Sequence, residues 1–237
     1  MNLNSNLDLV RDEYLRRLSL GHGTLLQQIE SHVAAHTGKL LRPRLLLATA
    51  ATLSPDRLHS RHTLLLAVAV EMLHNASLLH DDVIDRDDTR RGQPSANARF
   101  GNTLAVLAGD YLLTQVMTLL NETDDRNASS LVNETVKNMI EAEILQHQLL
   151  SGTLQPSPEL YLSIIDGKTA SLFATAAALG NPDYRDFGLH YGRLFQLRDD
   201  QADHEDNPFT APLIEKERKA LALCPAPQDN ELLKYIT

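Results

Sequence analysis

Apolar residues recur every three to four positions along most of this chain, and few glycines or prolines interrupt them. That period predicts helices over about 6–20, 23–36, 40–53, 60–86, 102–121, 126–151, 157–179 and 184–205. The breaks between them are turn sequences: Thr37-Gly38, Ser54-Pro55-Asp56, Arg91-Gly92-Gln93-Pro94, Gln155-Pro156-Ser157-Pro158 and Gly180-Asn181-Pro182-Asp183. Strand-like alternation is hard to find, so the expected class is all-α, a single-domain helical bundle over residues 1–237. The helix over 60–86 is long, about 40 Å at the usual rise per residue. It is apolar on more than one face, through Leu64, Leu65, Leu66, Val68, Val70, Leu73, Leu78 and Leu79, which predicts a central position. Beyond Asn207 the period weakens, and Pro208, Pro212, Pro225 and Pro227 divide the remainder into short pieces.

Two of these helices end in one carboxylate pattern, Asp81-Asp82-Val83-Ile84-Asp85 and Asp199-Asp200-Gln201-Ala202-Asp203. At about 100° per residue the first and fifth positions lie about 40° apart, so Asp81 shares a face with Asp85, and Asp199 with Asp203. With Asp87, Asp88, Glu205 and Asp206, ten of the 31 acids fall within 81–88 and 199–206, a crowding that is unfavourable without a cation. Hard Mg²⁺ suits it, because that ion accepts one or two carboxylates and fills its other positions with water and substrate phosphate. Either cluster alone also fits a solvated helix end. Both together, each after an apolar helical run (Leu64–Leu79 and Leu189–Leu197), favour a metal–diphosphate site.

Composition narrows the class. A length of 237 residues with 43% hydrophobic content supports a buried core. The net charge of -9, from 22 basic against 31 acidic residues, argues against a nucleic-acid partner held by general charge attraction. The single cysteine, Cys224, excludes an internal disulfide framework and fits a reducing cytoplasm. No stretch approaches the roughly 18 uninterrupted apolar residues of a membrane span. The richest run, Leu64–Val70, is closed by Glu71, and Met1-Asn2-Leu3-Asn4-Ser5 lacks the charged-then-apolar order of a signal peptide. A cytoplasmic protein without a membrane span is expected.

Cations accompany the carboxylates. Thr89-Arg90-Arg91-Gly92 follows the first motif, and arginine binds phosphate in a bidentate manner. Lys39 and Arg42 stand three residues apart at a helix start, where free N–H groups favour anions, although basic helix ends are also common on plain surfaces. Lys168 is an isolated cation in an apolar helix, and by itself it also fits a lysine reaching out to solvent. In combination these blocks resemble the trans-prenyltransferases, or polyprenyl diphosphate synthases. The likeness runs from about residue 10 to 206, through Gly38-Lys39-x-x-Arg42-Pro43, His74 with Leu79-His80-Asp81-Asp82-x-x-Asp85, and Asp88-x-Arg90-Arg91-Gly92-x-Pro94. It continues through Phe100-Gly101, Ala108-Gly109-Asp110-Tyr111-Leu112-Leu113, Glu143-x-x-Gln146, Lys168-Thr169-Ala170 and Phe195-Gln196-x-x-Asp199-Asp200-x-x-Asp203.

The resemblance implies helices around a deep central cavity, with the two aspartate motifs facing each other across its mouth. It implies about three Mg²⁺ ions bound with diphosphate, held by Asp81, Asp85 and Asp199 with help from Asp82, Asp200 and Asp203. Arg90, Lys168 and Thr169 would hold an allylic diphosphate, and Lys39, Arg42, His74 and Arg91 would grip isopentenyl diphosphate. Gln196 and the helix-break carbonyl near Lys168 would stabilise the allylic cation; on its own, His74 also fits a satisfied core histidine. In this family bulk on the helix before the first motif sets product length. Ala76 and Ser77 are small there, and Leu73 and Val70, flanked by Met72, lie further back as candidate floors, which points to a medium- or long-chain product. The chain departs from the family after the second motif, where Asp206-Asn207-Pro208-Phe209 runs into Thr210 without the usual lysine-bearing loop, and residues 207–237 are too few for the usual terminal helices. The expectation is a homodimeric synthase. The alternatives are a weakly active or regulatory subunit that needs a heteromeric partner, and a class I terpene cyclase, which the retained second aspartate motif disfavours.

Overall fold

The computed structural model describes residues 3–18, 28–29, 31–32, 38–203 and 209–236. In chain order its elements are α1 (Leu3–Leu18), α2 (Leu41–Leu53), α3 (Pro55–Leu58), α4 (Arg61–Ile84), β1 (Thr89–Arg90), β2 (Gln93–Pro94), α5 (Ala96–Phe100), α6 (Asn102–Thr123) and α7 (Arg126–Leu150). There follow α8 (Pro158–Ile165), a π-helical segment (Asp166–Ala170), α9 (Ser171–Gly180), a 3-10 turn (Pro182–Tyr184), α10 (Arg185–Ala202), α11 (Thr210–Leu221) and α12 (Asn230–Leu233). The regular structure among the described residues is thus helical apart from one hairpin of two-residue strands, as the apolar period requires. The helix expected over 23–36 and the acids Glu205 and Asp206 lie mostly outside the described residues.

The chain divides into two compact units, the first formed by Met1–Pro43 and His59–Asp125. Its axis is α4, whose N-terminus is capped by Ser60 Oγ accepting the Thr63 N–H at 3.1 Å. Every residue from Leu65 to Leu73 is buried, which is the central position its many apolar faces demand. Against α4 pack α6 and α1, the latter through Leu3, Leu7, Val10, Tyr14 and Leu18 at spacings of three and four. Fully burying such side chains contributes about 1.5–3 kcal/mol each. Arg17 of α1 reaches Glu13 at 2.9 Å and Glu122 of α6 at 2.5 Å, tying the two helices at one end.

The second unit comprises Arg44–Leu58 and Arg126–Thr237. Here α10 packs on α9, α11 and the π-helical segment, around Phe173, Phe187 and Tyr191. The sequence predicts one continuous helix over 157–179; the structure widens it at Asp166–Ala170, where the Ser171 N–H donates to the Asp166 carbonyl five residues back. The cause is close packing on α7. A Cβ at Gly167 would lie 2.3 Å from the Ala142 Cβ and 2.7 Å from the Asn138 carbonyl oxygen. The last residues are also more regular than their prolines suggest. Pro212 falls in the first turn of the twelve-residue α11, where a missing N–H breaks no helical bond. Glu217 of α11 is wholly buried and meets His190 at 2.5 Å and Arg193 at 3.3 Å, while Tyr191 donates to the Leu232 carbonyl at 2.9 Å.

By mean hydropathy over an 18-residue stretch rather than by uninterrupted runs, α4 and α6 are long and apolar enough to cross a membrane. The most apolar stretch of α4 is 72% buried inside the protein, which accounts for its composition, whereas that of α6 is 39% buried.

Candidate functional site

Both aspartate motifs occupy the last turn of a helix, α4 or α10, where unpaired carbonyls make the local potential negative. Carboxylates there are doubly unfavourable until a cation arrives. Within each motif the structure separates the residues in the same way. Asp81 is half-buried and Asp85 exposed, while Asp82 between them is buried at 3% exposure; Asp199 and Asp203 are exposed, while Asp200 is buried at 9%.

In the first unit, the buried carboxylate of Asp82 accepts from Arg90 Nε at 2.8 Å and from Arg90 Nη2, and the same Nη2 reaches Asp87 at 3.3 Å. Arg90 gets there because the chain reverses over Arg91 (φ 52°) and Gly92 (φ 75°), the paired positive angles of a two-residue hairpin, with Arg90 opposite Gln93. Asn97 Nδ2 then clamps the turn, donating to the carbonyls of Asp82 and Asp87 at 3.0 Å each. Burial pushes the Asp82 carboxyl above the ordinary range, and the hydrogen bond from Arg90 pulls it back. His80 lies between the Val106 carbonyl, at 3.2 Å, and Asp110, at 3.3 Å. Its ring fits only because residue 109 is glycine, as a Cβ there would stand 2.3 Å from Nε2.

The cations predicted to grip isopentenyl diphosphate also gather in this unit. Arg91 lies against Gly38, where a Cβ would stand 2.5 Å from the Arg91 Nη2, beside the exposed Lys39. Burial lowers the His74 pKa well below the usual histidine value, and the neighbouring Arg42, Arg91 and Arg90 lower it further, so the imidazole is neutral at pH 7. Sequence reasoning missed Glu71. This carboxyl is 2% exposed, with Asn75 Nδ2 donating to its Oε1 at 3.4 Å; burial raises its pKa, and Arg42 and Arg91 oppose the rise. Its signal was there, a lone acid closing an apolar run. A small cleft of about 40 Å³ lies alongside, lined by His32, Asn75, Leu78, Asp82, Arg90 and Arg91. Of the chain-length candidates, Val70, Leu73 and Ala76 are buried, and Ser77 is half-buried with Oγ donating to the His74 carbonyl at 2.8 Å.

In the second unit, Lys168 Nζ pairs with Glu143 Oε2 at 2.6 Å, which places the lysine inside rather than reaching out to solvent. Thr169 donates to Gln196 Oε1 at 2.8 Å, Gln196 Nε2 donates to Asp200 Oδ1 at 2.7 Å, and the Tyr161 hydroxyl donates to Asp200 Oδ2. Thr169, Gln196 and Asp200, each predicted from sequence, therefore form one hydrogen-bonded chain. Tyr161, which sequence reasoning passed over, completes it.

Among the described residues no three His, Cys, Asp or Glu side chains form a ready cage for a metal ion. Each motif instead has two carboxylates one helical turn apart, both less buried than the aspartate between them. That donor set fits Mg²⁺, which takes few protein ligands and completes its shell with water and phosphate oxygens.

The family model for polyprenyl synthetases matches residues 23–211. The chain is 35% identical over 210 residues to all-trans-nonaprenyl-diphosphate synthase (geranyl-diphosphate specific) of Rhodobacter capsulatus, covering 84% of this chain and 63% of that protein. It is 33% identical over 192 residues to octaprenyl diphosphate synthase of Escherichia coli, covering 76% of this chain and 58% of that one. It thus spans less than two thirds of the length of these relatives. Among solved structures, a polyprenyl synthase of Caulobacter crescentus, complexed with calcium and isoprenyl diphosphate, superposes with a TM-score of 0.83 at 26% identity over 98% of this chain and 93% of that one. A decaprenyl diphosphate synthase from Rhodobacter capsulatus gives 0.79 at 29% identity, over 99% and 82%.

Proposed function

This chain belongs to the polyprenyl synthetase family, and we propose that it condenses isopentenyl diphosphate with an allylic diphosphate to make a medium- or long-chain polyprenyl diphosphate. The observation that carries this reading is the presence, within one unit, of Asp81 and Asp85 one helical turn apart and of Arg42 and Arg91 grouped around His74. Carboxylates suited to Mg²⁺ in the same unit as a group of cations suited to phosphate fit a diphosphate substrate.

In this reading residues 1–237 act as one domain of the family. Asp81, Asp85, Asp199 and Asp203 would hold Mg²⁺, about three ions with bound diphosphate. When bound, magnesium neutralises the charge that develops on the leaving diphosphate. Arg90, Lys168 and Thr169 orient the allylic diphosphate. Its carbon–oxygen bond breaks, the electron pair leaves with the diphosphate, and the oxygens of Gln196 and of the backbone near Lys168 face the allylic cation. Lys39, Arg42 and Arg91 supply the charge that holds isopentenyl diphosphate, while His74, being neutral, supplies a hydrogen bond. The double bond of isopentenyl diphosphate attacks the cation, and the proton then lost passes to the departed diphosphate, leaving a product five carbons longer. Buried Leu73 and Val70 behind the small Ala76 and Ser77 suit a long product, as do the nonaprenyl and octaprenyl relatives. A homodimer in the cytoplasm is the assembly and compartment proposed.

The test is to incubate the purified protein with Mg²⁺, labelled isopentenyl diphosphate and allylic diphosphates of graded length. Elongated diphosphates are expected. Product formed only when a second subunit is added would make the chain a regulatory or dependent subunit, and a hydrocarbon formed without isopentenyl diphosphate would make it a cyclase.

A further inference from the structure

The middle aspartates of the two motifs do not face the way their neighbours do. Asp200 is buried, and each of its oxygens already accepts a hydrogen bond from the protein, Oδ1 from Gln196 Nε2 at 2.7 Å and Oδ2 from the Tyr161 hydroxyl. Gln196 is thereby held by both ends of its amide, its nitrogen on Asp200 and its oxygen on the Thr169 hydroxyl at 2.8 Å. An amide with one end released can turn over, exchanging its oxygen for its nitrogen. What prevents this is the fixed position of Asp200, and Tyr161 supplies the bond to its far oxygen from a different helix, α8.

We propose that Tyr161 is a positioning residue: through Asp200 it fixes the Gln196 amide with its oxygen at the Thr169 side, and it turns Asp200 away from the metal-binding face, leaving Asp199 and Asp203 as the ligands of the second motif. The inference rests on the prenyl-transfer reading for its kinetic consequence, but its geometric content, the inward role of Asp200, stands apart from the reaction. Local helix geometry supports it. Asp199 and Asp203 lie about 40° apart around α10, while Asp200 is about 100° from Asp199, on the side that meets α8 and the segment bearing Thr169. Tyr161 is set by its own helix start, where Pro158 follows the cap Ser157 and Ser157 Oγ accepts the Leu160 N–H at 3.1 Å. The hydroxyl therefore comes from a short, firmly begun helix, and not from a loop.

The experiment compares the full chain with Tyr161→Phe, Gln196→Ala, Tyr161→Phe/Gln196→Ala, Asp199→Asn and Asp200→Asn. Thermal unfolding identifies any variant that has lost its fold. Single-turnover and steady-state elongation assays should show kcat at least tenfold lower in Tyr161→Phe and in Gln196→Ala, with KM for isopentenyl diphosphate within twofold of the parent. The double variant should lose no more than the worse single variant, because both changes disable one amide. In parallel, calorimetric titration with inorganic pyrophosphate and Mg²⁺ should show binding at least tenfold weaker in Asp199→Asn, but within threefold of the parent in Asp200→Asn and Tyr161→Phe. Unchanged kcat in Tyr161→Phe, additive losses in the double variant, or Asp200→Asn binding as poorly as Asp199→Asn would each overturn the proposal. A parent that binds Mg–pyrophosphate yet elongates nothing defeats the functional reading instead, and the binding comparison then decides the role of Asp200 by itself.

Discussion

Replacing Arg90 with alanine removes two hydrogen bonds from a carboxylate with little access to water. Both the Nε and Nη2 donors meet Asp82 Oδ1, the first at 2.8 Å, and the side chain of Asp82 is 5% exposed. Stripping one partner from a fully buried ion pair costs about 3–5 kcal/mol, but Arg90 is 33% exposed, so solvent already screens the pair and can replace part of it. The loss is then nearer that of one charge-assisted hydrogen bond, about 2 kcal/mol, or about 4–8 °C in Tm for a protein of this size. The dependence on pH follows from the sign of the Asp82 shift. With Arg90 gone, burial and the nearby Asp85 and Asp87 all push the Asp82 carboxyl upward, with nothing from Arg90 to oppose them. A group whose folded pKa is raised stabilises the fold at low pH and loses that contribution as pH rises through the folded pKa. The deficit of Arg90→Ala should therefore be largest at pH 7 to 8 and shrink toward pH 5. Urea titrations of parent and variant at both pH values measure it. Adding Asp82→Asn should return about half of the loss, since the lone buried charge is removed. An Arg90→Ala protein within about 0.5 kcal/mol of the parent at pH 7.5, the range of ordinary surface changes, or one whose deficit grows on acidification, refutes the reasoning.

Three further outcomes are expected. Gly109→Ala would put a methyl where the His80 ring lies, and overpacking of this kind costs about 1–3 kcal/mol; a thermal melt unchanged from the parent would mean that the ring moves freely aside. If Leu73 is the floor for the growing chain, Leu73→Ala lengthens the product, read by chromatography of the dephosphorylated alcohols, and an unchanged distribution removes it as the ruler. Glu13, hydrogen-bonded by Arg16 and Arg17, has its pKa lowered from 4.5 to about 2. A lowered folded pKa gives stability that is present above 4.5 and is lost as pH falls toward 2, so α1 should become sensitive to pepsin across that window. Arg17→Ala, which leaves Glu13 with Arg16 and Glu122 with Arg61 alone, should show that sensitivity at a higher pH than the parent, and equal resistance in both proteins would sink the idea.

The helices are readable from sequence because most are set by local period and local stops. Ser60 caps α4 three residues from the N–H it accepts, and the long apolar α4 could only be central. Two features escape for physical reasons. The widening at Asp166–Ala170 depends on Gly167 meeting Ala142 and Asn138 of another helix, and no local pattern in Asp166-Gly167-Lys168-Thr169-Ala170 records that approach. The helix Thr210–Leu221 is hidden by Pro212, which reads as a breaker, yet a proline in the first turn interrupts nothing.

The site divides along the same line. Period alone puts Asp81 with Asp85, and Asp199 with Asp203, and it turns Asp82 and Asp200 about 100° away, but whether that direction is water or protein depends on what packs there. For Asp82 the partner is eight residues along the chain, at the base of a tight hairpin, so the motif and its arginine are legible as a block even though their mutual hydrogen bond is not. For Asp200 the partner is Tyr161, on a separate helix 39 residues earlier, within reach only after α8, the π-helical segment and α10 have packed together. A five-residue motif therefore reports which carboxylates can point together, but it cannot say which is kept back. Packing buries the middle aspartate in each copy; in the proposed reading the outer pair would then meet the cation, and one carboxylate per motif would hold its neighbours still.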